Sequence, residues 1–145
     1  MLSVKDLHAY YGRAHILHGV SLEATAGEVV ALLGRNGAGK STAMKAIMGL
    51  VPPARGEVSF AGRRIERLPP YRIARLGLGY VPEERRIFTE LTVVENLEVG
   101  RQAPRDGAPA WTEEKLFALF PNLAGLRERA EIGRASCRER VFITV

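Results

Sequence analysis

One short stretch of the sequence carries the residues best suited to chemistry. Gly34, Gly39, Lys40 and Ser41 are spaced as G-x-x-x-x-G-K-[ST], directly after the apolar run 28–33. Glycines at such positions let the backbone turn sharply and direct successive N–H groups toward one point. A lysine adds a full positive charge, and a hydroxyl is a suitable ligand for Mg²⁺. The spacing therefore predicts a phosphate-binding loop that leads into a helix.

A glycine-rich turn with an incidental lysine could show the same letters, so the flanking elements decide between the two. The run EVVALL at 28–33 is typical of a strand buried on both faces. Residues 41–50 then place Met44, Ile47 and Met48 at helical spacing. A strand, a glycine loop and a helix in this order favour phosphate binding.

The loop residues are assigned individual roles. We predict that Lys40 contacts the outer phosphates and is catalytic, that Ser41 is a metal ligand, and that Thr42 bonds an inner phosphate. The predicted nucleotide-binding residues of this stretch are Gly34, Arg35, Asn36, Gly37, Ala38, Gly39, Lys40, Ser41 and Thr42.

Strands and helices alternate along the rest of the chain, which indicates α/β architecture. Strands are predicted at 2–11, 16–24, 28–33, 57–65 (with a turn at 61–62) and 78–82. Helices are predicted at 41–50, 69–77, 92–102, 112–120 and 123–130, with a loop at 103–109. Thr92 and Thr112 are expected to cap their helices, and Glu95 completes a capping box with Thr92.

Composition narrows the class of protein. The chain has 145 residues, which suits one domain, and its single cysteine, Cys137, allows no internal disulfide. Its start lacks a signal-peptide pattern, and no apolar run is long enough to span a membrane. The net charge is +5, but the basic residues are scattered and often close to glutamates. We therefore expect no nucleic-acid partner.

Four segments, taken in order, resemble an ATP-binding cassette (ABC) ATPase, most of all the branched-chain amino-acid importer type. They are YYGRAHILHGVSLEATAGEVVALLGRNGAGKST, GEVSFAGRRI, GLGYVPEERRIFTELTVVENL and LFALFPNLAGLRERA. The resemblance implies a P-loop NTPase fold with an N-terminal antiparallel β subdomain, over residues 1–131. It also implies ATP and Mg²⁺ as the bound cofactors.

Two further site residues follow from the resemblance. Tyr11 matches the aromatic residue that stacks on adenine, although by itself an N-terminal tyrosine is more often a packing residue. Glu83 stands where most cassettes have a glutamine that approaches the metal and the attacking water, and this position is often glutamate in the branched-chain type. The resemblance thus implies that Glu83 is a catalytic residue and a metal ligand. From the residues alone, PEERR would be a solvated charged turn.

The resemblance also implies partners. These are a second cassette subunit in a homo- or heterodimer, transmembrane permease subunits and, indirectly, a periplasmic substrate-binding protein. The chain would then lie peripherally on the cytoplasmic face of the inner membrane. Ile87 and Phe88 fit an apolar contact with a membrane subunit, and core packing is the alternative for them. A lipid- or lipopolysaccharide-export cassette and a cassette without a transporter remain alternatives.

The sequence departs from the family toward its end. Cassettes carry an aspartate-ended strand, a following glutamate, a late histidine and a Ser-Gly-Gly signature, none of which is recognisable here. The aspartates are Asp6 and Asp106, and all histidines precede Gly34, where we expect them to be strand or turn residues. We expect residues 132–145 to be a divergent tail, frame-shifted or foreign, or else a genuine variant end. On this view the chain binds ATP without hydrolysing it.

Overall fold

The fold was analysed in a computed structural model, which describes residues 1–83, 87–101 and 111–130. Its described residues fall into two compact units that divide between Val81 and Pro82. No helix within these ranges is both long and apolar enough to cross a membrane.

The first unit is built on an antiparallel sheet of four strands. The strands are β1 (Leu2–Tyr11), β2 (Ala14–Ala24), β3 (Arg55–Phe60) and β4 (Arg63–Arg64), and they lie in the order β2-β1-β3-β4. Alternating buried and exposed positions along these strands give the sheet one apolar face, as expected of an antiparallel sheet that covers a core. The predicted N-terminal antiparallel β subdomain is therefore confirmed.

Two helices complete this unit. They are α1 (Lys40–Ile47) and α2 (Pro70–Arg75), and proline begins α2, where its missing N–H costs nothing. The side chains of Leu7, Leu17, Ile47, Ile65, Ile73 and Leu78 are fully buried in one apolar cluster. The sheet and both helices thus share a core.

Two predicted strands of this unit do not form. Residues 28–33 and 78–82 have no regular structure. A strand needs a hydrogen-bonded neighbour, and no described segment pairs with either one. Val29 is 89% exposed and Leu33 88% exposed, the reverse of the buried strand that their apolar character predicted.

The second unit is helical where it is described. It contains α3 (Val93–Val99), α4 (Glu113–Leu119) and α5 (Pro121–Ala124). The predicted caps are confirmed, because Thr92 forms a full capping box with Glu95 and Thr112 accepts from the Lys115 amide. The helix predicted at 123–130 is wrong, since α5 ends at Ala124 before Gly125 and turns follow. The predicted loop 103–109 lies outside the described residues.

Candidate phosphate-binding site

The glycine-rich segment forms a loop that leads directly into α1. Gly37 and Gly39 adopt left-handed backbone conformations, with φ of 82° and 91°. Residues other than glycine rarely adopt such φ angles. Glycine therefore occupies both positions, where the backbone must turn. The Ala38 amide donates to the Arg35 carbonyl at 3.1 Å and closes the turn. Residues 34–42 are therefore brought together as the spacing predicted.

The N-terminus of α1 favours negative charge. Gly39 is the N-cap, and its carbonyl accepts from the Ala43 amide at 2.8 Å, which begins the helix. Among the described residues no side chain caps this end, and the first turn has no acidic side chain. The first amides of a helix lack intrahelical acceptors and carry partial positive charge. This end of the helix is thus suited to an anion.

Lys40 lies over the loop. Its ammonium Nζ donates to the Gly34 carbonyl at 2.7 Å and to the Arg35 carbonyl at 2.9 Å. The lysine charge is thereby held against the backbone of the loop. A cationic group beside a loop that leads into a helix N-terminus is suited to binding phosphate.

The remaining loop positions differ in exposure. The loop residues Gly34–Ala38 are exposed, Ser41 is half-buried, and Thr42 is buried at the start of α1. The loop is therefore open to solvent, and Ser41 is partly accessible at the start of α1. The burial of Thr42 fixes the first turn of the helix in the core.

The sheet supports the loop from one side. A Cβ atom added to Gly39 would lie 2.9 Å from Leu17 Cδ2 and 3.4 Å from the Ile16 carbonyl oxygen. Strand β2 therefore lies directly against the loop, and a side chain at position 39 would require Leu17 to shift. The motif letters do not reveal this contact, because it depends on how β2 packs.

Tyr11 lies at the far end of β1, opposite Ala14 of β2. Its side chain is 48% exposed. Ala9, two residues earlier, is the cross-strand partner of Leu17, the residue that touches the loop. Tyr11 thus follows directly on the part of the sheet that supports the phosphate-binding loop.

Glu83 belongs to the second unit, in which its side chain is exposed.

Nearby in sequence, Phe88 is 56% exposed. Asn96 of α3 holds the Phe88 backbone, because its Oδ1 accepts from the Phe88 amide at 2.9 Å and its Nδ2 donates to the Phe88 carbonyl at 3.0 Å. This role of Asn96 was not predicted from the sequence. The only indication there was an amide side chain one helical turn after the capping Thr92.

The two residues predicted as metal ligands lie in different units. Ser41 of the first unit has a hydroxyl oxygen and Glu83 of the second has a carboxylate, and each is a ligand type that Mg²⁺ prefers. No group of three or more His, Cys, Asp or Glu side chains within the described ranges could hold a metal ion. Magnesium at a phosphate site commonly takes only one or two protein oxygens and completes its shell with water and phosphate.

All three histidines of the chain lie in strands of the first unit, as expected. His8 is in β1, and His15 and His18 are in β2. The predicted loop aspartate, Asp106, and the predicted tail 132–145 lie outside the described residues. The domain bounds 1–131 and 132–145 remain predictions.

Known proteins that resemble this chain are consistent with the phosphate-binding site that the geometry suggests. A family model described as ABC transporter matches residues 17–142. The chain is 40% identical to the high-affinity branched-chain amino acid transport ATP-binding protein BraG of Pseudomonas aeruginosa, over 90% of this chain and 55% of that protein. It is 34% identical to the lipopolysaccharide export system ATP-binding protein LptB of Haemophilus influenzae, over 99% of this chain and 65% of that protein.

Solved structures are similar as well. An ATP-binding subunit of an ABC transporter superposes with a TM-score of 0.73 at 34% identity, over 95% of this chain and 56% of that one. A nucleotide-free ATP-binding cassette superposes with a TM-score of 0.71 at 27% identity, over 94% and 59%. The chain thus spans between 55% and 65% of the length of these relatives.

Proposed function

Because the chain belongs to the ABC transporter family, as an ATP-binding domain, we propose that its loop 34–42 binds the triphosphate of ATP. The observation that carries the proposal is the Lys40 ammonium, held 2.7 Å from the Gly34 carbonyl, in a loop that leads into helix α1, whose start no side chain caps among the described residues. Loop amides and the first amides of α1 would donate to phosphate oxygens, and Lys40 would neutralise the outer phosphates. Tyr11 is proposed to stack on the adenine.

Ser41 and Glu83 are the proposed Mg²⁺ ligands. When bound, Mg²⁺ supplies charge neutralisation on the phosphates. Ser41 holds its hydroxyl at the start of α1, and Glu83 is the residue proposed to face the attacking water.

Binding is tested with the full chain and a fluorescent ATP analogue. Lys40→Ala is expected to weaken binding by about a hundredfold, because a charge-assisted contact to phosphate is lost. The matched control is Lys5→Ala, which removes an exposed lysine on β1 and should leave the affinity unchanged. Equal affinity of Lys40→Ala and the unaltered chain would contradict the proposal.

Members of this family hydrolyse ATP, but for these residues by themselves we propose binding without turnover. The family's aspartate-ended strand and its following glutamate have no counterpart that we recognise in the sequence. Phosphate release by the full chain should therefore not exceed that of Lys40→Ala. Turnover clearly above that variant would show that these 145 residues hydrolyse ATP.

We further propose that the protein serves an importer of branched-chain amino acids. The support is the 40% identity to BraG and the glutamate at position 83. The proposed partners are a second cassette subunit, transmembrane permease subunits and, indirectly, a periplasmic binding protein, with no nucleic acid. The proposed location is the cytoplasmic face of the inner membrane.

Lipopolysaccharide export is the second candidate, favoured by an alignment with LptB that takes in 99% of this chain. Deleting the gene in its host separates the two. Loss of leucine and isoleucine uptake, restored by the wild-type gene, supports the importer. Normal uptake with a defective outer membrane supports the exporter instead.

A further inference from the structure

A chain of polar contacts crosses the sheet and ends beside Tyr11. Arg55 of β3 pairs with the Asp6 carboxylate at 2.9 Å. The other Asp6 oxygen lies 3.0 Å from His8 Nε2. His8 Nδ1 in turn lies 3.1 Å from His15 Nε2 on β2. Three strands are thereby linked through two imidazole rings.

The last ring in this chain packs against the aromatic residue next to Tyr11. The Tyr10 and His15 rings are stacked with their centroids 4.2 Å apart and their planes 7° apart. The His18 and His15 ring centroids are 3.8 Å apart, with their planes tilted by 45°. Because Tyr11 directly follows Tyr10 and precedes the turn to β2, the position of Tyr10 restricts that of Tyr11.

The Asp6 carboxylate fixes where the protons lie. A hydrogen bond from His8 lowers the pKa of Asp6, and the nearby Arg55 charge adds to this. An ionised carboxylate only accepts, so His8 Nε2 donates to it. Nδ1 of the neutral His8 ring must then accept, and His15 Nε2 donates to it.

This arrangement tolerates one added proton but not two. A single proton on His15 Nδ1 leaves every hydrogen bond in place. A second proton would put N–H groups on both of the nitrogens that face each other at 3.1 Å, and two donors repel. The contact between His8 and His15 would then break.

The backbone is shaped around this cluster. Asp6 has a φ of 49°, in the left-handed region. Gly19 has a φ of 77°, and a Cβ atom there would lie 2.8 Å from Asp6 Oδ1. The pairing of β1 with β2 shifts register on both sides of Leu7. A bulged strand and a required glycine thus bring Asp6 and His8 together.

We propose that His15 is a positioning residue for Tyr11, holding it through the Tyr10 stack and the hydrogen bond to His8. The inference rests on the proposed function, in which Tyr11 stacks on adenine. Its consequence is that ATP affinity falls when the contact between His8 Nδ1 and His15 Nε2 is broken by an N–H group on both nitrogens. The groups that face the pair are Asp6 and Tyr10 from β1, His18 from β2 and Arg55 from β3.

The test follows ATP-analogue affinity from about pH 8 downward, through and below the range in which imidazoles change charge. His15→Phe keeps a ring against Tyr10 but has no proton to exchange, so it should lose much of the fall in affinity. Lys5→Ala is the control, because Lys5 is an exposed residue of β1 without an imidazole, and it should keep the fall. We expect a fall of about three- to tenfold beyond that of His15→Phe, the effect of one hydrogen bond.

The outcomes separate the inference from the proposed function. Equal pH profiles for His15→Phe and the unaltered chain, with binding still lost in Lys40→Ala, would overturn only the role of His15. Binding that never depends on Lys40 would overturn both.

A second measurement does not depend on how the variants fold. The chain has three histidines, and all belong to this cluster, so nitrogen NMR of the imidazoles reports on it alone. At about pH 8 we expect His8 and His15 to carry their protons on Nε2. A proton on His8 Nδ1 in place of Nε2 would refute the arrangement.

Discussion

Gly39 is the residue at which the glycine-rich loop 34–42 and the N-terminal sheet meet. Its φ is 91°, and Leu17 Cδ2 would lie 2.9 Å from an added Cβ atom. Gly37 has a similar φ of 82°, but no atom lies within 4 Å of the corresponding point. Substitution of Gly37 therefore tests backbone strain alone, whereas substitution of Gly39 tests strain together with steric overlap.

We predict that Gly37→Ala costs about 1 kcal/mol of unfolding free energy, the strain of a left-handed alanine. Gly39→Ala is expected to cost roughly 2–4 kcal/mol, because crowding against Leu17 adds to the same strain. Urea denaturation of the two variants measures the difference. Equal costs would show that β2 does not constrain the loop.

At the scale of elements, the β3–β4 hairpin is held by a nearly buried carboxylate. The Glu66 side chain is only 8% exposed and pairs with Arg64 at 2.6 Å. Burial raises its pKa, but hydrogen bonds from its own amide, from Arg64 and from the Val58 amide outweigh this, so the pKa lies below its usual value of 4.5. The carboxylate therefore favours the folded state when it is ionised.

The sign of this linkage gives a prediction. A carboxyl whose pKa is lowered on folding stabilises the protein above its unfolded pKa and loses that effect as the pH falls through its folded pKa. We expect Glu66→Gln to cost about 1–2 kcal/mol near pH 7 and nothing at strongly acidic pH. Thermal unfolding across that range measures it. Glu57→Gln, at a carboxylate 59% exposed in its pair with Arg64, should cost less, and an equal cost would contradict the role of Glu66.

The elements that sequence predicted correctly are those whose signals are local. The capping box of Thr92 and Glu95 and the glycines before Lys40 act within a few residues, so their patterns suffice. The helix predicted at 123–130 failed because Gly125 ends α5, while Pro121 begins it earlier than the apolar spacing suggested. The loop was thus predictable from sequence, but the contact with Leu17 was not.

The histidine cluster could not be predicted from the sequence either, and the reason is different. Which side chains of β1 and β2 face each other depends on register, and the register shifts between Leu7 and His8 and again between Ala9 and Tyr10. A shift of one residue moves a side chain to the other face of a sheet. Sequence spacing alone therefore cannot predict that His8 and His15 are in contact.

At the scale of the whole molecule, the segment 28–33 is a large apolar surface. Val29, Val30 and Leu33 are 89%, 47% and 88% exposed. Exposed β-branched and aliphatic side chains in a row are prone to self-association. The free chain should therefore associate through these residues.

We predict that the double variant Val29→Thr, Leu33→Thr aggregates more slowly and binds less of an apolar dye. Its unfolding free energy should change by no more than about 0.5 kcal/mol, as is usual for exposed positions. Val58→Thr is the control, because Val58 is fully buried and its substitution should lower stability by about 1–3 kcal/mol. Unchanged aggregation of the double variant would rule out this segment as the cause.

The two bonds from Lys40 to the Gly34 and Arg35 carbonyls, at 2.7 and 2.9 Å, have a kinetic consequence. The ammonium is an internal ligand of the loop and keeps its turn in shape. On the proposed function, nucleotide binding would be an exchange, in which phosphate oxygens take over the cation from these carbonyls. Lys40 would then act first as a brace and afterwards as a counter-charge, and its removal should slow association as well as hasten dissociation.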